Sequence, residues 1–255
     1  MQLPSLTVIT PSYNQGSFIG QTVESVLSQQ YPGLSYLVMD GGSTDDTLAV
    51  LAPYTDRLTL VSEHDRGQTD AINKGLHRAT GDIVCWLNSD DYLLPGALHT
   101  VGAYFARNPG VQWLTADCLI VDAAGQAIQQ PIRHYKRVLR QLTPAAYLGV
   151  TNAVCQPSTF WRRSVHERVG YLDETLHYTM DYDFWLRLAR DSRPAVLDEP
   201  VSAFRIHGAS KGGSQYTEQF REDEQTMARY TRPGLVRWLH RQHNALIVAM
   251  YRLLK

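Results

Sequence analysis

The chain has 255 residues, of which 44% are apolar and 19% charged, and its net charge at pH 7 is −1. That length supports one large domain or two small ones, and the composition is that of an ordinary soluble globular chain. A charge so close to zero gives no global sign of nucleic-acid binding, and no nucleic-acid partner is expected.

Met1-Gln2-Leu3-Pro4 lacks a basic-then-apolar leader pattern, and no apolar run approaches the length of a membrane span. A cytoplasmic location is therefore the expectation. Cys85, Cys118 and Cys155 are odd in number and far apart, which argues against a disulfide framework; Cys85 and Cys118 read as reduced core residues. From Leu6 onward, short apolar runs alternate with helical stretches. Leu6–Thr10, Tyr36–Asp40, Leu58–Val61 and Ile83–Leu87 read as strands, and Trp113–Asp117 as another. Gly20–Gln30, Thr44–Ala52, Gln68–Ala79 and Pro95–Asn108 read as helices, the second led by Ser43, Thr44, Asp45 and Asp46 as cap candidates. This β-α rhythm argues for a largely parallel sheet. It loosens over residues 118–205, which read as a second half of the same domain. The expected organisation is residues 1–115 as a first half, 116–215 as a second half of the same domain, and 216–255 as a helical, basic, amphipathic extension.

Four successive strands end in polar clusters: Thr10-Pro11-Ser12-Tyr13-Asn14, Asp40-Gly41-Gly42-Ser43-Thr44-Asp45-Asp46, Glu63-His64-Asp65-Arg66-Gly67 and Asn88-Ser89-Asp90-Asp91. In a parallel sheet these ends share one edge, where open α/β sheets bind ligands. Two adjacent carboxylates, Asp90 and Asp91, are costly unless neutralised. A divalent cation that also takes substrate phosphates would do so. There is no GxGxxG after the first strand and no Walker A lysine, so phosphates would depend on that metal and on nearby cations, among them Arg66, Lys74 and Arg205. Asp40 is placed to accept from a base N–H and Tyr13 to stack on a base. A helix cap and a rim aromatic are the competing roles for these two.

These blocks, with Asp70-Ala71-Ile72-Asn73-Lys74-Gly75, Gln156-Pro157-Ser158-Thr159, Met180-Asp181-Tyr182-Asp183-Phe184-Trp185 and Phe204-Arg205-Ile206-His207, resemble family 2 glycosyltransferases over about residues 6–210. The resemblance implies a GT-A type α/β fold: a Rossmann-like mixed central sheet flanked by helices, here with a C-terminal helical extension. It implies a nucleotide-sugar donor, usually a UDP-sugar, a divalent metal (Mn²⁺ or Mg²⁺), inversion at the anomeric carbon, and a role in cell-surface polysaccharide assembly. By the same resemblance Pro11, Tyr13, Asn14 and Asp40 face the nucleotide, Asp65 lies beside the base or ribose, and Lys74 is a phosphate-contact candidate. Asp90 and Asp91 form the DxD-type site, with Asp91 as direct metal ligand. Asn88 stands where many relatives carry Asp, and its amide still hydrogen-bonds a ribose hydroxyl. His207 is a second metal ligand.

An inverting transfer needs a base for the acceptor hydroxyl. The motif assigns it to Asp181, with Asp183 as the alternative or as an acceptor-side contact. Gln156 and Trp161 are placed near sugar and acceptor, Trp161 being either core or a stacking face. Lys211, in the glycine-rich run Gly208–Ser214, suits a lid. From Tyr230 to Lys255 there is no acid, and apolar residues recur at helical spacing. This stretch reads as a helix that lies on anionic lipid at the inner membrane face, or packs on its own domain or a partner. The acceptor is then a glycan or lipid-linked glycan. A nucleotidyltransferase is the rival enzyme, but it would carry a basic glycine-rich loop where Pro11-Ser12-Tyr13-Asn14-Gln15 stands. Retention of Asp90, Asp91, Asp181 and His207 together argues against a non-catalytic sugar-nucleotide binder.

Overall fold

A computed structural model describes residues 2–142, 148–208, 210 and 216–253, with backbone alone at 216–217 and 249–253. Lys211 lies outside these residues, as does most of the run proposed as a lid.

Eight strands form one sheet: β1 (Leu6–Ser12), β2 (Leu34–Asp40), β3 (Thr59–Ser62), β4 (Ile83–Trp86), β5 (Tyr92–Leu93), β6 (Trp113–Val121), β7 (Thr159–Arg162) and β8 (Ala195–Arg205). Their order is β3-β2-β1-β4-β7-β6-β8-β5. β1 pairs in parallel with β2 and β4, and β2 with β3. β7 runs antiparallel to both β4 and β6, and β6 is parallel to β8. Two reversals restore direction, so β6 and β8 point the same way as the first four strands. The C-terminal end of β8 therefore reaches the edge where β1, β2 and β4 end. Only a tertiary arrangement with an inserted antiparallel strand could bring residue 207 to residue 90.

The helices are α1 (Ile19–Leu27), α2 (Thr47–Leu51), α3 (Gln68–Arg78), α4 (Ala97–Arg107), α5 (Gln130–Arg140), α6 (His166–Val169), α7 (Met180–Asp191), α8 (Tyr216–Tyr230) and α9 (Leu235–Leu253). The second helix starts three residues later than the expected Thr44, with Asp46, one of the four cap candidates, at the N-cap position but without a side-chain cap bond. Ser43 and Asp45 are consumed by the loop: Ser43 Oγ donates to Asp40 Oδ1 at 2.5 Å, and Asp45 accepts from the Thr47 amide at 3.0 Å and the Gly16 amide at 3.0 Å. Such local side-chain bonds compete with helix extension. The boundary drawn between residues 115 and 116 falls inside β6, so the sheet runs on across it.

The core carries an unusual aromatic load. Trp86, Trp113, Trp161 and Trp185 are all fully buried. Trp185 stacks on Trp86 at 5.5 Å and on Trp113 at 6.1 Å, nearly parallel to both, while Trp161 meets Trp86 edge-on at 5.5 Å. Each such ring removes ~150–250 Å² from water, on the order of 5 kcal/mol before entropy is counted. This stack fixes α7 against the end of β4. All three cysteines are buried and unbridged.

Two polar anchors hold the outer helices. Asp117 on β6 is fully buried and accepts from Arg140 at 2.5 Å and Arg133 at 2.7 Å, which ties α5 to the sheet. Glu222 on α8 accepts from the amides of His177, Tyr178 and Thr179 at 2.8–3.1 Å, so the carboxylate satisfies the free N–H groups that lead into α7.

Candidate active site

The strand ends are stitched together loop by loop. Asn14 adopts a left-handed conformation (φ 53°), which asparagine tolerates well. Its amide N–H donates to Ser43 Oγ at 2.8 Å, and its Oδ1 accepts from the Thr44 amide at 2.8 Å. Asn14 thus joins the β1 and β2 loops. Asp40 is buried, and its carboxylate accepts from the amides of Gly42 and Ser43 and from the hydroxyls of Ser43 and Ser62. It organises the β2 end. Asp65, from the β3 loop, closes over Gly41 so tightly that a Cβ there would lie 2.4 Å from Asp65 Oδ2. Pro11 is buried and Tyr13 is 57% exposed on the same rim. Lys74 is already paired, reaching Glu63 at 3.2 Å, Asp70 at 3.3 Å and the His64 carbonyl at 3.2 Å. It braces the β3 loop and presents no free charge to a phosphate.

The acidic motif splits into one inward and one outward carboxylate. Asp91 is 1% exposed; its Oδ1 accepts from the Arg205 amide at 2.9 Å and its Oδ2 from the Asn88 amide group at 3.3 Å. Burial, then the Asp90 charge, raises its pKa. This corrects the expectation that Asp91 is the direct metal ligand: both its oxygens are spent holding the turn. The outward carboxylate is Asp90, whose Oδ2 lies 3.1 Å from His207 Nε2. The His207 ring packs on Phe18 at 4.5 Å. Arg205 is buried and donates to the carbonyls of Asp90 and Ala123, with its guanidinium between the Phe18 and Tyr92 rings. It clamps the backbone and is not a phosphate ligand. Arg66, likewise proposed for phosphate, is paired with Asp70 and Glu174.

A carboxylate oxygen and an imidazole nitrogen 3.1 Å apart match two adjacent donors around one octahedral ion with bonds of about 2.1 Å. Among the described residues no group of three or more His, Cys, Asp or Glu side chains gathers. Asp90 and His207 would supply two donors to such an ion, the other positions falling to water and substrate oxygens, as in Mg²⁺-type sites. The donor set fits a divalent metal.

Asn88 connects both halves. Its Oδ1 accepts from Gln68 at 2.9 Å, and its amide donates to Gln156 Oε1 at 3.1 Å; Gln156 donates in turn to the Trp86 carbonyl at 2.8 Å. A cavity of about 350 Å³ opens beside this junction, lined by Arg66, Gln68, Asp70, Glu174 and His177 among others. Four residues before Gln156, Asn152 donates to Asp181 Oδ2 at 3.3 Å, so one short segment links Asp181 to Asn88. Asp181 sits in the first turn of α7, its Oδ1 accepting from the Tyr182 amide at 2.7 Å. Burial pushes its carboxyl up to about 6, the range suited to a base near neutral pH.

On the acceptor side, Trp161 takes the core role of its two alternatives, and the expectation that Asp183 contacts the acceptor is overturned. Trp161 is fully buried against Trp86, Phe184 and Trp185, with its Nε1 donating to His166; no ring face is left for a sugar. Asp183 is 2% exposed and bound by Arg187 at 2.9 Å and the Tyr230 hydroxyl at 2.5 Å. It is a structural ion pair, since α-helical periodicity turns it about 200° from Asp181. Gln68, Asn152 and Glu222 escaped the sequence reading. Each has its partner 20 or more residues away, so no local spacing marks it.

Residues 7–170 match the profile of Glycosyl transferase family 2. The chain is 24% identical over 208 residues to an uncharacterized glycosyltransferase of Rickettsia prowazekii, covering 81% of this chain and 65% of that protein. An uncharacterized protein of Mycobacterium tuberculosis is 29% identical over 222 residues, covering 82% and 69%. The chain therefore spans about two thirds of the length of these relatives. Among solved structures, residues 1–349 of S. aureus TarS superpose with a TM-score of 0.67 at 22% identity, covering 89% of this chain and 65% of that one; TarS is also known bound to UDP-GlcNAc. A mannosyltransferase of Pyrobaculum calidifontis, in complex with GDP-Man and Mn²⁺, superposes with a TM-score of 0.67 at 21% identity, covering 99% and 76%. The mixed sheet flanked by helices is the GT-A arrangement of these neighbours.

Proposed function

The chain belongs to glycosyl transferase family 2, and from that premise we propose that it moves a sugar from a nucleotide-sugar donor to a hydroxyl of a glycan or lipid-linked glycan, with inversion. The observation that carries this reading is the Asp90–His207 pair, 117 positions apart in sequence and 3.1 Å apart in space, at the edge where the parallel strands end. The nucleotide lies on the rim that Tyr13 and Asp65 present, with buried Pro11 and Asp40 shaping it from beneath, and Asn88 meets the ribose. Gln156, bonded to Asn88, borders the sugar. A divalent ion bound by Asp90 and His207 would neutralise charge on the leaving diphosphate.

The remaining chemistry falls to the chain's own groups. Asp181, ionised above about pH 6, takes the proton of the acceptor hydroxyl. That oxygen bonds to the anomeric carbon as the carbon–oxygen bond to the diphosphate breaks, and the electron pair leaves with the diphosphate. Asn152 and the Tyr182 amide hold the carboxylate in place. Uridine is the expected base from the resemblance, supported by the UDP-GlcNAc complex of TarS; the GDP-Man complex of the mannosyltransferase makes guanosine the competing base. Cell-surface polysaccharide assembly is the pathway class we assign.

Melting curves with UDP, GDP and their sugars, each with and without Mn²⁺, test the donor site. A ligand that binds only the folded chain raises the melting temperature by mass action. A metal-dependent rise with one nucleotide sugar is expected. A flat response across the panel refutes the donor site.

A further inference from the structure

Among the described residues ten large hydrophobic side chains are exposed, and eight of them lie on residues 135–142 and 235–246; the other two are Tyr13 and Leu48. The two stretches belong to α5 with the turn after it, and to α9. They touch: the Tyr135 hydroxyl and His243 Nε2 are 2.9 Å apart, and the two rings stack at 6.0 Å. A patch this concentrated marks an interaction surface.

Helical geometry explains why these side chains face outward. On α9, His240 and Asn244 are buried and bonded inward to Val150 and Asp223. Two residues away along a helix is about 200° around it, so Trp238 and Leu246 point away from the protein, 56% and 61% exposed. On α5, Arg133 and Arg140 point inward to Asp117. By the same rule Tyr135, Val138 and Leu142 point out. In both elements the most deeply buried side chains are polar, while several large apolar ones are left facing solvent, a departure from an ordinary surface helix.

The charge around this face is predominantly basic. Neither residues 123–166 nor residues 225–255 contain an aspartate or glutamate. His134, Arg137, Arg232 and Arg241 are exposed beside the apolar side chains. The acids facing them are Asp198, 3.8 Å from Arg137, and Glu224, 3.6 Å from Arg241, both in open, long pairs. Apolar side chains framed by arginine suit insertion at the headgroup boundary of an anionic bilayer. Docking of a second copy by the same face would bring like charges together. No helix among the described residues is long and apolar enough to cross a membrane.

We propose that α5 and α9 together form a lipid-docking face that seats the protein on an anionic bilayer surface. The proposal is independent of the transfer reaction, because docking is read without donor or acceptor.

Flotation of the full chain with phosphatidylcholine vesicles, with and without phosphatidylglycerol, tests it. Binding to the anionic vesicles alone, weakened by salt, is expected. Trp238→Ser with Leu246→Ser, and separately Val138→Ser with Leu142→Ser, should each lower the bound fraction by about tenfold or more, whereas Leu48→Ser should not. All five positions are exposed, and unchanged melting curves verify folding. Failure of the full chain to float overturns the proposal. So does flotation untouched by the α5 variant, or light scattering that shows a stable dimer dissolved by the same substitutions.

Discussion

Asp181→Asn is the perturbation that reaches furthest. The amide keeps the shape of the side chain, and its oxygen can still accept from the Tyr182 amide, but it cannot take a proton. A positioned base contributes ~10²–10⁴-fold to rate, so transfer should fall by about 10³, or about 4 kcal/mol of barrier. The wild-type pH profile should rise with unit slope below about pH 6, where the carboxyl titrates, and level off above it; the variant should lose that limb. Stability should move the other way. Burial raises the folded-state pKa from 3.8 to about 6, so between those values the native chain holds a proton that the unfolded chain has lost. Stability therefore falls as pH rises through that window, by at most about 3 kcal/mol for a shift of about two units. Partial exposure of the side chain reduces this to about 1–3 kcal/mol. At pH 7.5 the variant should thus be more stable and inactive. Donor-dependent transfer followed across pH, together with urea denaturation at pH 5 and 7.5, measures both. Near-wild-type transfer by the variant, or an unchanged limb near pH 6, refutes the assignment of the base. A loss of stability at pH 7.5 refutes the electrostatic account.

His207→Ala should weaken Mn²⁺-dependent nucleotide binding by about 10–100-fold or more, read by titration calorimetry with and without the metal, and unchanged metal dependence would remove His207 from the ligand set. Gly41→Ala places a Cβ 2.4 Å from Asp65 Oδ2; the Asp65 side chain must move aside, so nucleotide affinity should fall while the melting temperature changes little. Asp117→Ala leaves Arg140 charged and buried without its partner, which should cost about 3–5 kcal/mol in chemical denaturation. Trp161→Ala should destabilise by about 3–5 kcal/mol and leave the acceptor KM unchanged in whatever folded fraction remains, as befits a core residue.

The parallel half of the sheet and the residue types along its edge are legible in the amino-acid order alone. Strands β1 to β4 are contiguous apolar runs, and the polar clusters that end them follow immediately in sequence, so period and punctuation are enough. The family resemblance added the second-half positions Asp181 and His207, which no spacing connects to Asp90. What only tertiary structure decided was the direction in which each side chain points. Asp90 and Asp91 are neighbours of equal chemistry, and the backbone turn held by Arg205 and Asn88 sends one inward and the other toward His207. Asp181 and Asp183 differ by two positions, and helix periodicity makes one a candidate base and the other an ion pair. For Trp161 the sequence leaves core and stacking face equally open, because the choice depends on Trp86 and Trp185 arriving from β4 and α7. The outward apolar face of α9 was visible as amphipathic, yet its partner α5 was not, since the Tyr135–His243 contact spans 108 positions. Local pattern records which residues an element offers; packing between distant elements decides which of those are spent on the fold and which remain for function.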